Sequence, residues 1–447
     1  MTNLDLDKLL EVLGVNNRSS QHSNNRPING LSIDSRSINK SDIYIAIKGK
    51  NFDGHSFVKQ AFEKGASYCI ISEKKLNGEN CIVVENTKTA LAQIGSFFLE
   101  ESKSKVIAIT GSNGKTTTKE AVLNILKHKF NEEYLLATEG NFNNEIGLPL
   151  TLFRLRPTHK ITILEMGMNH MGEIENLAKI APPDISIVTN IGEAHIENFE
   201  SRKDIALAKK ELLINTKPTG TLILPFDDDY YELLVNDLGH KKITFGSSNQ
   251  ADIYYEREND LYSFYFQNKK IIEQIKFCVE HNATNFMAAI GAAIALDFSQ
   301  EEFKLIKNFD LKIPHRLEFI NTNSDVLVID DCYNANPSSM KKAIDVLSKM
   351  EGHKIALIGD MAELGERSEK YHQDIINYLE EKKIDLIFRI GDLFKNIKTN
   401  HENNYWFPSR ESLIESLKKQ LKSNSIILIK GSRSMKMEDM IEDIQNY

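Results

Sequence analysis

Apolar residues along this chain fall into short runs separated by stretches of helical spacing. IYIAI from Ile43, YCIIS from Tyr68 and CIVVE from Cys81 have strand length, while FVKQAFEKGA and ALAQIGSFFLE have the spacing of one-faced helices. They predict a small α/β unit over residues 1–102, with the polar ESKSK segment (Glu101 to Lys105) as a linker. A second block, 103–312, opens with VIAIT and continues through TILEMG, ISIVTN, TLILPF and KITFG, with helical stretches between most of them. Strand–helix alternation of this kind predicts a mostly parallel sheet covered on both faces. The aromatic and β-branched runs DIYYE, LYSFYF and IIEQIKFCV, split by REND and QNKK, predict an antiparallel appendage; NATNFMAAIGAAIALDF follows as a tightly packed helix. A third block, 313–447, carries VLVIDD, KIALIGD, DLIFRIG and IILIKGS. Asp330, Asp331, Asp360, Asp392, Ser432 and Arg433 gather at the carboxyl ends of these strands, the edge at which open α/β sheets bind ligands. The expected fold class is therefore α/β in three domains: a small N-terminal one, a central parallel-sheet one with its appendage, and a C-terminal Rossmann-like one.

Composition narrows the function. The 447 residues are 41% hydrophobic and 26% charged, as in ordinary globular proteins, and 55 Lys and Arg against 63 Asp and Glu give a net charge of -8. No long basic run is present, which argues against a nucleic-acid or anionic-membrane binder and leaves small anionic substrates open. Cys69, Cys81, Cys278 and Cys332 form no C-x-x-C pair, so zinc and dithiol chemistry are disfavoured and a reducing compartment is expected. The acidic, amphipathic start MTNLDLDKLLEVLG does not have the form of a signal peptide, and no apolar run reaches membrane-spanning length. A cytoplasmic protein is expected.

The most specific chemical signal is Thr110-Gly-Ser-Asn-Gly-Lys-Thr-Thr117, between a strand and a helix. Its glycines let backbone N–H groups face phosphate oxygens, Lys115 neutralises phosphate charge, and the Thr116 hydroxyl reaches toward Mg²⁺. The loop is shorter than the common G-x-x-x-x-G-K-[ST] pattern, with Ile109 where the first glycine would stand. It points to a nucleoside triphosphate without separating kinase, ATPase, switch and ligase. Further candidates have competing structural readings. Glu165 ends strand TILE and His195 follows ISIVTN; with Thr116 they suit a magnesium site, or are a capping Glu and a solvated loop His. Asn282 and Asn285 stand three apart at a helix start, facing a purine or, for Asn282, capping the helix. Arg316, beside His315, closes over phosphates or makes an interdomain salt bridge. Spacing says nothing about Lys209.

Taken together these residues resemble the Mur ligase family. The resemblance is carried by SIDSRSINKSDIYIAIKGKNFDGHSF in the first block. In the second it is TGSNGKTTTKEAV, GNFNNEIGLPLTLFRL, EMGMNHMGEIENL, TNIGEAHIENF, AKKEL and HNATNFMAA, and in the third IPHRLE, DDCYNANPSSM and GDMAELGE. The shortened loop is the family's form. NNEIGLP, YNANPSSM and GDMAELG resemble the member that adds D-alanyl-D-alanine to UDP-N-acetylmuramoyl-tripeptide. The resemblance implies an ATP-dependent carboxylate–amine ligase acting through an acyl phosphate. Three domains with substrates at their junctions suggest closure before chemistry, and a monomer is expected. By resemblance, Gly111, Ser112, Asn113, Gly114, Lys115, Thr116 and Thr117 hold the ATP phosphates, Asn282 and Asn285 the adenine side, and Arg316 and Asp331 reach ATP from the third domain. Thr116, Glu165, His195 and Lys209 are magnesium-site positions, two ions being expected, with Lys209 as a carbamate. Lys115, Lys209, His195 and Arg316 are the catalytic expectations. Ser35 and Arg36 meet the UDP end of the substrate, and Asn143 or Asn144 lies near the γ-phosphate. Asn334 and Asn336 are expected to fix the dipeptide, unless Asn336 only shapes the turn before Pro337; Cys332 is given no role. The alternatives are another amino-acid-adding or folylpolyglutamate-type ligase, or a P-loop switch or ATPase whose outer domains only bind.

Overall fold

The computed structural model describes residues 4–15, 26–49, 52–76, 78, 80–277, 279–309, 311, 313–322 and 325–445. Lys50 and Asn51 of the Gly49–Gly54 segment, Cys278 and the first three residues lie outside these. The amphipathic start forms the helix Leu6–Val12, which buries Leu6, Leu9 and Leu10. The first sheet is parallel, in the order β1 (Gly30–Ser32), β2 (Asp42–Ile45), β3 (Tyr68–Ile71), β4 (Cys81–Val83). Strand alternation divides its residues between two cores. Ile43, Ile45, Tyr68 and Ile70 pack with the helix Thr87–Ser102, while Tyr44, Ala46, Cys69 and Ile71 pack against Val58 and Ala61 on the other face. Cys69 and Cys81, far apart in sequence, are register partners, and both are free thiols pushed up in pKa by burial. The expected linker at Glu101–Lys105 is a correction: the helix runs to Ser102 and β5 begins at Lys105, so only Lys103, in the left-handed conformation, and Ser104 connect them.

The central sheet has nine strands: β5 (Lys105–Thr110), β6 (Leu135–Ala137), β7 (Ile161–Glu165), β8 (Ile185–Val188), β9 (Thr221–Pro225), β10 (Lys241–Phe245), β11 (Ile253–Glu258), β12 (Leu261–Phe266) and β13 (Lys269–Lys276). They lie in the order β13-β12-β11-β10-β9-β8-β5-β7-β6. The chain leaves β5 for one side and returns to its other side, so the loop after β5 opens at the point where the order reverses. Ile107, Ile109, Ile163 and Ile187 pack under the helices Lys115–Leu126 and Glu280–Ala295, and Val106, Ala108, Leu164 and Val188 under Arg202–Ile214. The expected appendage is antiparallel and continues this same sheet: β11 pairs in parallel with β10, then β11–β12 and β12–β13 form antiparallel ladders. At the free flank β13 exposes Lys269, Lys270, Glu273, Gln274 and Lys276, with register shifts along its ladder and Gln274 at φ 52°.

The third sheet runs β14 (Glu318–Asn321), β15 (Leu327–Asp330), β16 (His353–Gly359), β17 (Leu386–Ile390), β18 (Asn404–Phe407) and β19 (Ser425–Lys430), ordered β14-β15-β19-β16-β17-β18 with β14 antiparallel. One apolar cluster continues from the central sheet through Ile191 and Ile196 to Ala335, Met340 and Leu364, which brings the loops of the second and third sheets face to face.

Candidate active site

A cavity of about 630 Å³ lies where those loops meet. Its central-sheet wall is the glycine-rich turn and the start of helix Lys115–Leu126. Gly114 has φ 80°, and a Cβ there would stand 2.4 Å from Asn285 Oδ1, so both the turn and the close approach require glycine. Lys115 Nζ donates to Gly111 O at 2.8 Å, and burial lowers its pKa. Ser112 and Asn113 are held by the loop after β8: Ser112 Oγ donates to Gly192 O and accepts from Gly192 N, and Asn113 N–H donates to Asn190 Oδ1. That loop is fixed in turn by Asp228, which accepts from Ile191 N, and by Arg202, which donates to Ile191 O.

Glu165 is 3% exposed and caps nothing; its two oxygens accept from Thr116 Oγ1 and Asn143 Nδ2, both at 2.8 Å. Asn143 lines the cavity. Asn144 does not, because its Oδ1 accepts from Ile146 N and Gly147 N and turns the chain into the next helix; the expectation of a substrate role for it is corrected. His195 is no freely solvated side chain: its Nδ1 lies 2.6 Å from Glu363 Oε2 of the GDMAELGE loop, and that contact lowers the Glu363 carboxyl pKa. The Glu363 loop is anchored by His372, whose Nε2 accepts from Met361 N, and by Ser432, whose Oγ accepts from Ala362 N. Lys209 is 2% exposed, and its Nζ makes no hydrogen bond or ion pair with a described residue; burial holds its pKa well below the ordinary range, and the charge of Lys115 adds to this. Asn282 lines the cavity from inside the helix Glu280–Ala295, whose N-cap is Val279, so the capping alternative is wrong. Asn285 is buried beside it, its Oδ1 accepting from Thr118 Oγ1.

From the third block, Arg316 donates to Thr116 Oγ1 at 3.0 Å and stacks over Tyr333 at 4.0 Å, an arrangement with no carboxylate partner among the described residues. Its Nε is buried and unpaired. Asp331 lines the cavity but is held 2.5 Å from Lys430 Nζ. Asn334 lines the cavity, its carbonyl accepting from Lys430. The strand-end groups Asp330, Asp360 and Ser432 serve the scaffold: Asp330 pairs with His315, Asp360 accepts from Leu393 N and Phe394 N, and Ser432 holds the Glu363 loop. Asn336 is a further correction. Asn336 lines the cavity, but its Oδ1 caps the helix Pro337–Ser348 by accepting from Ser339 N at 2.9 Å and its Nδ2 donates to Asn113 Oδ1, so both ends of its amide are engaged within the protein.

Ser35 and Arg36 are not brought to this cavity. Ser35 Oγ is buried and donates to Gln60 Oε1; Arg36 is exposed and paired with Asp34, whose pKa that pairing lowers to about 2. In the same domain Asp53, His55 and Ser72 form a chain in which Ser72 N–H donates to His55 Nε2 and Asp53 takes the other ring nitrogen; this fixes the backbone after the Gly49–Gly54 segment. The residues missed are Tyr333, Ser338, Glu363 and Lys430. Tyr333, Ser338 and Glu363 stand inside motifs already singled out, and only their partners across the cleft give them roles.

Models of three Mur ligase domains match the chain: the Mur ligase family, catalytic domain over residues 27–99, the Mur ligase middle domain over 109–293, and the Mur ligase, glutamate ligase domain over 315–433. The chain is 36% identical over 435 residues to the UDP-N-acetylmuramoyl-tripeptide–D-alanyl-D-alanine ligase of Bacillus subtilis, covering 93% of each. Its fold matches a crystal structure of MurF from Acinetobacter baumannii with a TM-score of 0.91 at 30% identity over all of both chains. It also matches the MurF ligase of Thermotoga maritima in complex with ADP, with a TM-score of 0.83 at 28% identity over 93% of this chain and 97% of that one. With matched segments across all three sheets and a relative alike over nearly its whole length, the chain belongs to the Mur ligase family.

Proposed function

We infer that this chain is an ATP-dependent carboxylate–amine ligase that adds D-alanyl-D-alanine to UDP-N-acetylmuramoyl-tripeptide, yielding the pentapeptide precursor of peptidoglycan. The observation that carries this reading is the joining of the phosphate loop to Arg316, Asp331 and Asn334 of the third block in one cavity, in a chain alike over 93% of its length to a ligase of that name. Peptide-bond formation from a free carboxylate is uphill, so the carboxylate is first activated: its oxygen attacks the γ-phosphorus of ATP, ADP leaves, and an acyl phosphate forms. The dipeptide amine then attacks the acyl carbon, inorganic phosphate departs from the tetrahedral intermediate, and the amine loses its proton. Lys115 and Arg316 offset the charge of a carboxylate meeting a triphosphate, a repulsion that grows as water is excluded. Asn282 and Asn285 serve the nucleoside end, and Asn143 rather than Asn144 the γ-phosphate.

The donor set suits magnesium. Glu165 and Thr116 supply oxygens, and a carboxylate on His195 Nδ1 leaves Nε2 as the ligand atom, the arrangement usual for metal-bound histidine. Lys209 fits as a carbamate, because burial and the charge of Lys115 both disfavour its protonated form, the neutral amine is the form that reacts with carbon dioxide, and the product carries an anionic oxygen. Magnesium held there would polarise phosphoryl oxygens. The first domain, with Arg36 exposed, takes the UDP end of the substrate. No helix among the described residues is long and apolar enough to cross a membrane, in keeping with a cytoplasmic enzyme acting on soluble nucleotide-linked substrates.

Product analysis tests the reading: ATP, magnesium, UDP-N-acetylmuramoyl-tripeptide and D-alanyl-D-alanine should yield the UDP-pentapeptide, with one ADP and one phosphate for each bond. ATP hydrolysis that ignores the dipeptide would instead support an ATPase or switch.

A further inference from the structure

Asn113 lies in the phosphate loop, yet its side chain faces the third block. Its backbone is locked from below: the carbonyl accepts from Thr189 Oγ1 at 2.6 Å and from Asn190 Nδ2 at 2.8 Å. Above, its Oδ1 accepts from Asn336 Nδ2 at 2.8 Å and its Nδ2 donates to Ser338 Oγ at 2.8 Å. Ser338 Oγ then donates to Asn336 Oδ1 at 3.0 Å. The three side chains close a ring in which each donates once and accepts once. The amide orientations follow from donor chemistry: Ser339 N–H can only donate, which fixes Asn336 Oδ1 at the helix cap, turns Nδ2 toward Asn113 and so sets Asn113 Oδ1 opposite it. Beneath Ser338, a Cβ on Gly192 would lie 3.4 Å from Ser338 Oγ and 3.3 Å from Ser112 Cβ, so the loop after β8, the phosphate loop and the helix end meet at this point.

We propose that Asn113, Asn336 and Ser338 form a latch that sets the third-block loops over the phosphate loop, and that Asn336 and Ser338 are positioning residues for dipeptide use. The proposal rests on the ligase reading above. The ring is uncharged and short-ranged, so it rewards one seating of the helix Pro337–Ser348 and gives little to a displaced one. That helix follows β15 through Asp331 and Asn334, which line the cavity together with Asn336, Ser339 and Lys342 of the helix end. Loosening the ring therefore misplaces the dipeptide side while leaving the phosphate loop, which is braced by Thr189 and Asn190, able to bind nucleotide.

The test is a double-variant cycle on the full chain. Asn336→Ser keeps a good helix cap but is too short to reach Asn113, and Ser338→Ala leaves the Asn336 cap in place and serves if the first variant folds poorly. Each is combined with Asn113→Ala, and three quantities are measured: steady-state constants for D-alanyl-D-alanine, affinity for a non-hydrolysable ATP analogue, and the thermal midpoint. Each single variant should lower kcat/KM for the dipeptide about tenfold, and each double variant should be no worse than its poorer single, since both remove one ring. Analogue affinity of Asn336→Ser and Ser338→Ala should stay within about threefold of wild type, with thermal midpoints nearly unchanged. Multiplying losses in the double variants, an equal loss of analogue affinity, or wild-type dipeptide kinetics in the single variants would overturn the latch. A wild-type chain that does not ligate the dipeptide at all would overturn the ligase reading instead, which the same assay shows before any variant is made.

Discussion

Replacing Lys209 with methionine separates what this side chain costs from what it does. The stem is kept and the amine removed. Lys209 is 2% exposed in the helix Arg202–Ile214, its Nζ meets no described hydrogen-bond or ion-pair partner, and Lys115 is close enough to repel its charge. A buried polar group without a partner costs about 1–3 kcal/mol, and a swap of similar volume about 1 kcal/mol or less. In buffer freed of carbon dioxide and magnesium, Lys209→Met should therefore be more stable than wild type by about 1–2 kcal/mol, or about 2–8 °C in thermal midpoint for a unit of this size. The sign with pH follows from the lowered pKa. Burial holds the folded pKa below that of the unfolded chain, so protonation favours the unfolded state: the wild type carries its penalty at lower pH and regains stability as pH rises toward the ordinary lysine range, about 10.4. The gap between the two proteins should narrow accordingly. Scanning calorimetry across pH measures this, and a ligation assay completes it. Lys209→Met should be inactive. Bicarbonate with magnesium should raise the thermal midpoint and activity of wild type only. A variant that melts below wild type in depleted buffer, or that ligates within a few-fold of wild type, would refute the reasoning.

Lys115→Ala should lose ligation at least a hundredfold while keeping its circular dichroism spectrum, because among the described residues the ammonium hydrogen-bonds the Gly111 carbonyl alone. Arg316→Lys should lower kcat/KM for ATP about 10- to 100-fold, since lysine keeps the charge but forfeits the stack on Tyr333 and the fork that reaches Thr116; a change within threefold would make the stack incidental. Glu165→Gln should raise the magnesium concentration needed for half-maximal turnover with little change in thermal midpoint, and an unchanged magnesium titration would remove Glu165 from the metal site.

Much of this was written in local patterns. The runs at VIAIT, TILE and ISIV are buried on both faces and became β5, β7 and β8, and the glycine-rich turn stands at their point of reversal because a strand, a glycine turn and a helix in that order leave few other arrangements. Short elements were less legible: β6 has three residues and β18 four, too few for alternation to register. The site was readable in residue type and unreadable in partnership. Asn143 and Asn144 are chemically identical in sequence, and only the chain direction after Asn144, where Ile146 N and Gly147 N converge on its side chain, makes it a cap. Asn336 looked like a ligand group because capping and recognition draw on the same amide. Lys209 is buried in a helix that packs on β5 and β8, a tertiary arrangement that spacing along one helix does not reveal.

The charged, irregular flank at β13 bears on how the molecule behaves in a crowded solution. An open sheet of nine strands ends in unpaired backbone donors and acceptors, a template onto which another extended chain can add. Here that rim bristles with Lys269, Lys270 and Lys276, and its ladder is broken by register shifts and by the left-handed Gln274, so an incoming strand would meet ammonium groups and a kinked backbone. The opposite rim, β6, is only three residues long, too short to seed a new ladder. Sheet growth stops within the molecule, and a protein whose largest layer is mostly parallel and rich in Ile and Val is guarded against fibrous self-association at the two borders where it would begin.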